Sequence, residues 1–249
     1  MSKQDALIIG RQPLIEALQN GKAIDKILVQ KNANGETISQ IRSLAKEYDV
    51  PMQMVPIEKL NYMTRANHQG VIALAALVVY QDLETVLETL ETEAKVPLLL
   101  MLDGVTDVRN IGAIARSAYC CGAQAIIIPD KGVGALNEEA MKSSAGALER
   151  IAIIRVNSLL KAVDTLHEKG IKVFTSDMKA TTKVYDLPLE EAACIIMGNE
   201  ERGVQPYLAK AADAYFTIPM ATNFDSFNVS VAAGIIVYEA LKKRIEHLS

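Results

Sequence analysis

Cysteine, histidine, long apolar runs and positive charge are all scarce in this sequence. Cys120, Cys121 and Cys194 are its only cysteines. So small and odd a number excludes a disulfide framework and predicts reduced thiols in a cytoplasmic protein. Cys120 and Cys121 fall in a helical pattern and read as packing residues. His68, His167 and His247 are scattered, and no cysteine or histidine pair has ligand spacing. No metal centre is therefore expected. The longest apolar run, Val71–Tyr80, has ten residues, against about 20 for a membrane span. The first residues, MSKQDALIIGRQP, lack the apolar core and small-residue cleavage site of a secretory leader. Net charge is −4, so any nucleic acid must be met by a local basic face. The glycine fingerprint G-x-G-x-x-G is missing after the first strand pattern, which argues against a dinucleotide-binding metabolic enzyme.

What remains is a globular composition, 50% hydrophobic and 22% charged, with room for one or two domains. Residues 1–80 alternate short helix and strand patterns. Pro13 opens a helix that Asn20-Gly21 closes. Lys26–Gln30 and Met52–Val55 read as strands, and Ile38, Ile41, Leu44, Ala45 and Tyr48 recur at helical spacing. Val71–Tyr80 reads as one long buried strand. Together these predict a small α/β domain. It holds nine Lys/Arg against seven Asp/Glu over residues 1–70, the one regional excess of positive charge. Residues 81–96 carry five acids and one lysine and read as a helix-containing linker.

From Pro97 onward the pattern is strand–helix alternation. Leu98–Leu102, Ala125–Ile128, Ile151–Val156, Lys172–Thr175, Cys194–Met197 and Tyr215–Ile218 are nearly all apolar, as strands of a parallel sheet covered on both faces are. A long helix from about Asn228 to Leu248 closes the chain. Residues 97–249 are thus expected to form an α/β domain with a parallel sheet.

Three segments crowd polar residues into turns after apolar runs, where a parallel sheet presents its site. The first is DGVTDVRNIGAIARSAYCCG, residues 103–122, containing Asn110, Gly112 and Arg116. Standing alone, Asn110 reads as a helix cap and Arg116 as a solvated residue. The second is IMGNEERGV, residues 196–204, whose glycines allow close backbone approach to a ligand. The third is TIPMATNFDSFNVSVAAG, residues 217–234, in which Ser226 and Asn228 read as caps for the last helix.

Taken together and in this order, these segments resemble the three motifs of the SpoU-type RNA ribose 2'-O-methyltransferases, and most closely the 23S rRNA guanosine type. Ser143–Glu149 also matches, and the likeness spans about residues 97–245. Thr222 departs from a common glycine and Phe227 from a common leucine. Residues 10–18 and 68–73 look like the substrate-binding domain attached to rRNA members, and His68 is a candidate RNA contact. The resemblance implies a SPOUT-type parallel sheet with a C-terminal trefoil knot, preceded by a small α/β RNA-binding domain. It implies S-adenosylmethionine as cofactor, held by Met197, Gly198, Ile218, Met220 and Phe227. Asn110, Arg116, Glu200, Ser226 and Asn228 would form the catalytic set. A homodimer is implied, with Asn110 and Arg116 near the partner's site. The implied substrate is rRNA. A tRNA enzyme of the same family is the alternative, and a non-catalytic ribosome-assembly factor is the reading from another class.

Overall fold

A computed structural model gives the structure and describes residues 7–48, 50–133, 136–199, 201–222 and 226–247. The chain divides into two compact units, one made mainly of residues 1–79 and the other of the rest.

The first unit contains β1 (Leu7–Ile9), α1 (Arg11–Gln19), β2 (Ile24–Gln30), α2 (Glu36–Glu47), β3 (Met52–Val55), α3 (Ile57–Met63) and β4 (Val71–Ala75). Its sheet has the order β1-β4-β2-β3, with β2 and β3 parallel and the pairs with β4 antiparallel. Helical periodicity sets the packing. Leu14, Ile15 and Leu18 of α1 and Ile38, Ile41 and Ala45 of α2 bury one stripe against Ile27, Val29, Val71 and Ala73.

In the second unit the chain runs β5 (Tyr80–Gln81), α4 (Leu83–Thr92), β6 (Leu98–Leu102), α5 (Val108–Cys120), β7 (Ala125–Pro129), α6 (Glu138–Ser144), β8 (Ala152–Val156), α7 (Leu159–Glu168), β9 (Lys172–Ser176), β10 (Ala193–Met197), α8 (Pro206–Ala209), β11 (Ala214–Phe216) and α9 (Val229–His247). Seven strands form one sheet in the order β11-β9-β10-β6-β7-β8-β5. Every pairing in it is parallel. The five residues of β6 and the five of β10 are buried throughout, as strands covered on both faces must be. Helix α5 packs against both α6 and α9. Leu99, Met101, Val173 and Ile196 belong to the core cluster that α4 and α7 cover. No helix among the described residues is long and apolar enough to cross a membrane.

Two expectations change. The apolar run Val71–Tyr80 is not one strand: β4 stops at Ala75, Val79 is 73% exposed, and Tyr80–Gln81 pairs with Ile153–Ile154 in the other sheet. An unbroken apolar run carries no mark of where its sheet changes. The acidic segment 81–96 is not a bare linker either. Asp82 caps α4 by accepting from the Thr85 amide at 3.0 Å, and Leu83, Val86, Leu87 and Leu90 are buried in the second unit's core. Its acids occupy the other face of the helix; the helix and its apolar face are as the sequence reads, and what changes is that this face packs into a core.

Candidate active site

The strand order reverses beside β6. The chain lays down β6, β7 and β8 to one side, crosses to β9 on the other, and inserts β10 next to β6. Crevices at the carboxyl ends of strands at such a point are where open α/β sheets hold ligands. The first and second motif segments leave the sheet there, Met197 pairing with Leu102 at the ends of β10 and β6.

Asp103, directly after β6, is 2% exposed. Its backbone amide donates to Met197 O at 2.8 Å, and its carboxylate accepts from the Gln205 amide at 2.7 Å and Gln205 Nε2 at 2.8 Å. Asp103 thus fixes both ends of the 198–205 loop to the neighbouring strand, one through its main-chain amide and the other through its buried carboxylate. Asn199 works from within the loop. Its Nδ2 donates to Gly104 O at 3.1 Å, and its Oδ1 accepts from the amides of Glu201 and Arg202. Backbone hydrogen bonds between Asn199 and Gly203 close the turn. A Cβ on Gly198 would lie 2.2 Å from the Gly203 carbonyl carbon, so only glycine fits. Glu200 lies outside the described residues.

Asp107 caps α5, accepting from the Arg109 amide at 2.9 Å. The Arg109 guanidinium also donates to the Asp107 side chain and holds that carboxyl below the usual carboxylate range. Asn110, in the first turn of α5, accepts from Asn228 Nδ2 at 3.2 Å. Asn228 in turn starts α9, its Oδ1 accepting from the amide and hydroxyl of Ser230 at 3.0 and 2.6 Å. Residues 118 apart in sequence therefore meet. Gly112 lets α5 approach α6, because a Cβ there would lie 2.2 Å from Ser143 Oγ and 2.4 Å from Ala140 O.

Arg116 stands apart from this junction. It is exposed and makes no ion pair among the described residues. It lines an open groove of about 580 Å³ between α5 and α9, with Ser117, Cys120, Val231, Gly234 and Tyr238. Cys120 lies exposed in that groove and is not the packing residue its pattern suggested. Ile218 and Met220 follow β11 outside the strand and are half-buried, Phe227 is 37% exposed, and Ser226 is exposed. The main-chain groups of Ile218, Met220 and Phe227 make no hydrogen bonds among the described residues. No cluster of three metal-ligating side chains occurs among the described residues.

His68 is corrected by the structure. It is 8% exposed, its Nδ1 accepts from the Gly70 amide at 3.0 Å, and its Nε2 meets Asn61 Oδ1 at 2.9 Å. It is a loop fastener and not a free contact. Asp103 and Gln205 were not singled out from sequence, since partners 102 residues apart leave no local signature.

Fold and loops define an α/β protein with its site at the switch point of a parallel sheet. Residues 97–238 match the SpoU rRNA Methylase family, and residues 7–81 match a domain described as RNA 2'-O ribose methyltransferase substrate binding. The chain belongs to the SpoU methylase family and is an RNA 2'-O-methyltransferase of that family. It is 34% identical over 241 residues, 97% of each chain, to a Staphylococcus aureus (strain MSSA476) protein named for the TrmH family of tRNA/rRNA methyltransferases. Among solved structures it resembles an RNA 2'-O ribose methyltransferase, at 25% identity and a TM-score of 0.57 over 96% of this chain and 88% of that one. It shares its fold with AviRb from Streptomyces viridochromogenes, solved with AdoMet, at 23% identity and a TM-score of 0.62 over 96% and 90%.

Proposed function

We propose that this chain methylates the ribose 2'-hydroxyl of a guanosine in 23S rRNA, using S-adenosylmethionine. The observation that carries the reading is the meeting of the three motif segments at one end of the sheet, through Asn228–Asn110 and Asn199–Gly104. The matched substrate-binding domain and the positive excess of residues 1–70 suit the chain to RNA, and the rRNA methylase description of the matched family supports rRNA. The relatives' names cover tRNA as well, so tRNA is the competing substrate. Reduced cysteines fit the cytoplasm, where both RNAs reside.

The cofactor's needs fit the residues present. Loops 197–203, 217–220 and 226–228 offer main-chain donors and acceptors beside partly exposed Ile218, Met220 and Phe227, a suitable lining for a flat base and a ribose. In our reading these loops belong to a C-terminal trefoil knot. When bound, S-adenosylmethionine would supply an electrophilic methyl carbon on a positively charged sulfur; transfer to the ribose 2'-oxygen would leave the neutral thioether S-adenosylhomocysteine and release the hydroxyl proton to water. The chain's own contribution is orientation and charge. A guanidinium is a permanent cation, so Arg116 binds the phosphate beside the target ribose and stabilises charge developing on the 2'-oxygen. Asn110 and Asn228 hold the start of α9 against α5, and Glu200 and Ser226 orient ribose and cofactor. Arg116 lies six residues beyond Asn110, about 9 Å along the helix, in an apolar groove. That position suits a homodimer in which Arg116 serves the partner's site.

Calorimetry with S-adenosylmethionine and S-adenosylhomocysteine tests the reading. Binding of both is expected; binding of neither would overturn it.

A further inference from the structure

Tyr62, in the last turn of α3, is 93% exposed, the most exposed aromatic side chain among the described residues. Lys59 precedes it by three residues and Arg65 follows it by three; neither makes an ion pair among the described residues. Glu58 is the only acid in residues 57–70.

The loop after Tyr62 is fixed in place. Thr64 Oγ1 accepts from the Ala66 amide at 3.1 Å, and Asn67 Oδ1 from the Gln69 amide at 3.3 Å. His68 Nδ1 accepts a hydrogen bond from the Gly70 amide, which leaves the ring N–H at Nε2 to donate to Asn61, the neighbour of Tyr62. Gln69 sits at a φ of 50° and is held there by Arg11, whose amide and Nε donate to it at 3.2 and 3.0 Å. The Gln30 amide donates to Gly70 O at 2.8 Å, which brings exposed Lys31, just past the end of β2, to the end of the sheet where β4 begins. An ordered loop thus follows a bare aromatic ring that has Lys59 and Arg65 three residues to either side, neither in an ion pair among the described residues.

We propose that this edge of the first unit is a nucleotide-stacking site. Tyr62 stacks on an unpaired base of the substrate RNA, and Arg65, Lys59 and Lys31 take the flanking phosphates. The inference rests on the reading that the substrate is RNA. Exposed aromatics next to cations suit single-stranded or looped RNA, whose bases are free to leave their own stack. A duplex would engage the cations alone.

The test uses the full chain with two fluorescein-labelled probes. One is a hairpin RNA with 2-aminopurine in its unpaired loop, and the other is a blunt RNA duplex of equal length. Tyr62→Ala is expected to weaken hairpin binding about ten-fold, to leave duplex binding within about two-fold and to abolish quenching of 2-aminopurine. Tyr62→Phe keeps the ring and should keep all three. Arg65→Ala should reduce the salt slope by about one on either probe. Unchanged hairpin affinity in Tyr62→Ala, or equal loss on hairpin and duplex, overturns the stacking site. If wild-type protein binds RNA and S-adenosylmethionine while Tyr62→Ala matches it, this inference falls alone. If wild-type protein binds neither probe, the RNA reading falls with it.

Discussion

Gly198 and Arg116 test opposite kinds of requirement. At Gly198 the constraint is space: an added methyl would lie 2.2 Å from the Gly203 carbonyl carbon and 2.3 Å from the Val204 nitrogen, both main-chain atoms. The loop must then move. Gly198→Ala should cost about 1–3 kcal/mol of stability and abolish S-adenosylmethionine binding, read by thermal melting and calorimetry. Near-normal affinity would mean that the loop is not the cofactor's seat. At Arg116 the constraint is charge on an exposed side chain. Arg116→Ala should melt as wild type, bind cofactor normally and lose roughly 100-fold or more in methyl transfer; retained turnover would reduce Arg116 to a surface residue. Both residues stand in strings that a reader of the sequence can pick out. Asp103 opens one of those strings without standing out in it, because its value lies in reaching Gln205 across two adjacent strands, and sequence order records no such adjacency.

Helix α9 is fastened at both ends. Asn228 joins its start to Asn110. Near its other end, Arg244 donates to the carbonyls of Val96, Pro97, Leu189 and Glu191 at 2.7–2.9 Å. Burial pulls the Arg244 guanidinium below its ordinary pKa, the cost of partial desolvation. Arg244→Ala should destabilise the second unit by about 2 kcal/mol and loosen the last turns of α9, seen as faster amide exchange there. Exchange unchanged from wild type would show that packing alone holds the helix. The sequence shows that a long terminal helix exists, through periodicity and its basic end. It does not show that this basic end binds main-chain carbonyls, since an arginine near a helix terminus reads equally as a dipole partner in water. In α4 the helix and the apolar face of Leu83, Val86, Leu87 and Leu90 are legible in the sequence, and what is not legible is that this face joins the second unit's core.

On the scale of the whole molecule, the parallel sheet follows from strand after strand of apolar residues, and its switch point follows only from strand order, which the sequence leaves open. The groove between α5 and α9 predicts the quaternary state. Val231 and Tyr238 are 50% and 61% exposed beside Arg116, more apolar surface than a helix pair in isolation needs. Sedimentation should give a dimer, and Tyr238→Glu should give a folded monomer with little methyl transfer. A monomeric wild type would remove the reason for placing Arg116 in a partner's site. The central claim is the chemistry itself. Protein incubated with methyl-labelled S-adenosylmethionine and unmodified 23S rRNA or tRNA, followed by nucleoside mass spectrometry, reads it directly. The account predicts label on the 2'-oxygen of a guanosine in 23S rRNA. Label on a base, label in tRNA alone, or no transfer to either RNA would contradict it.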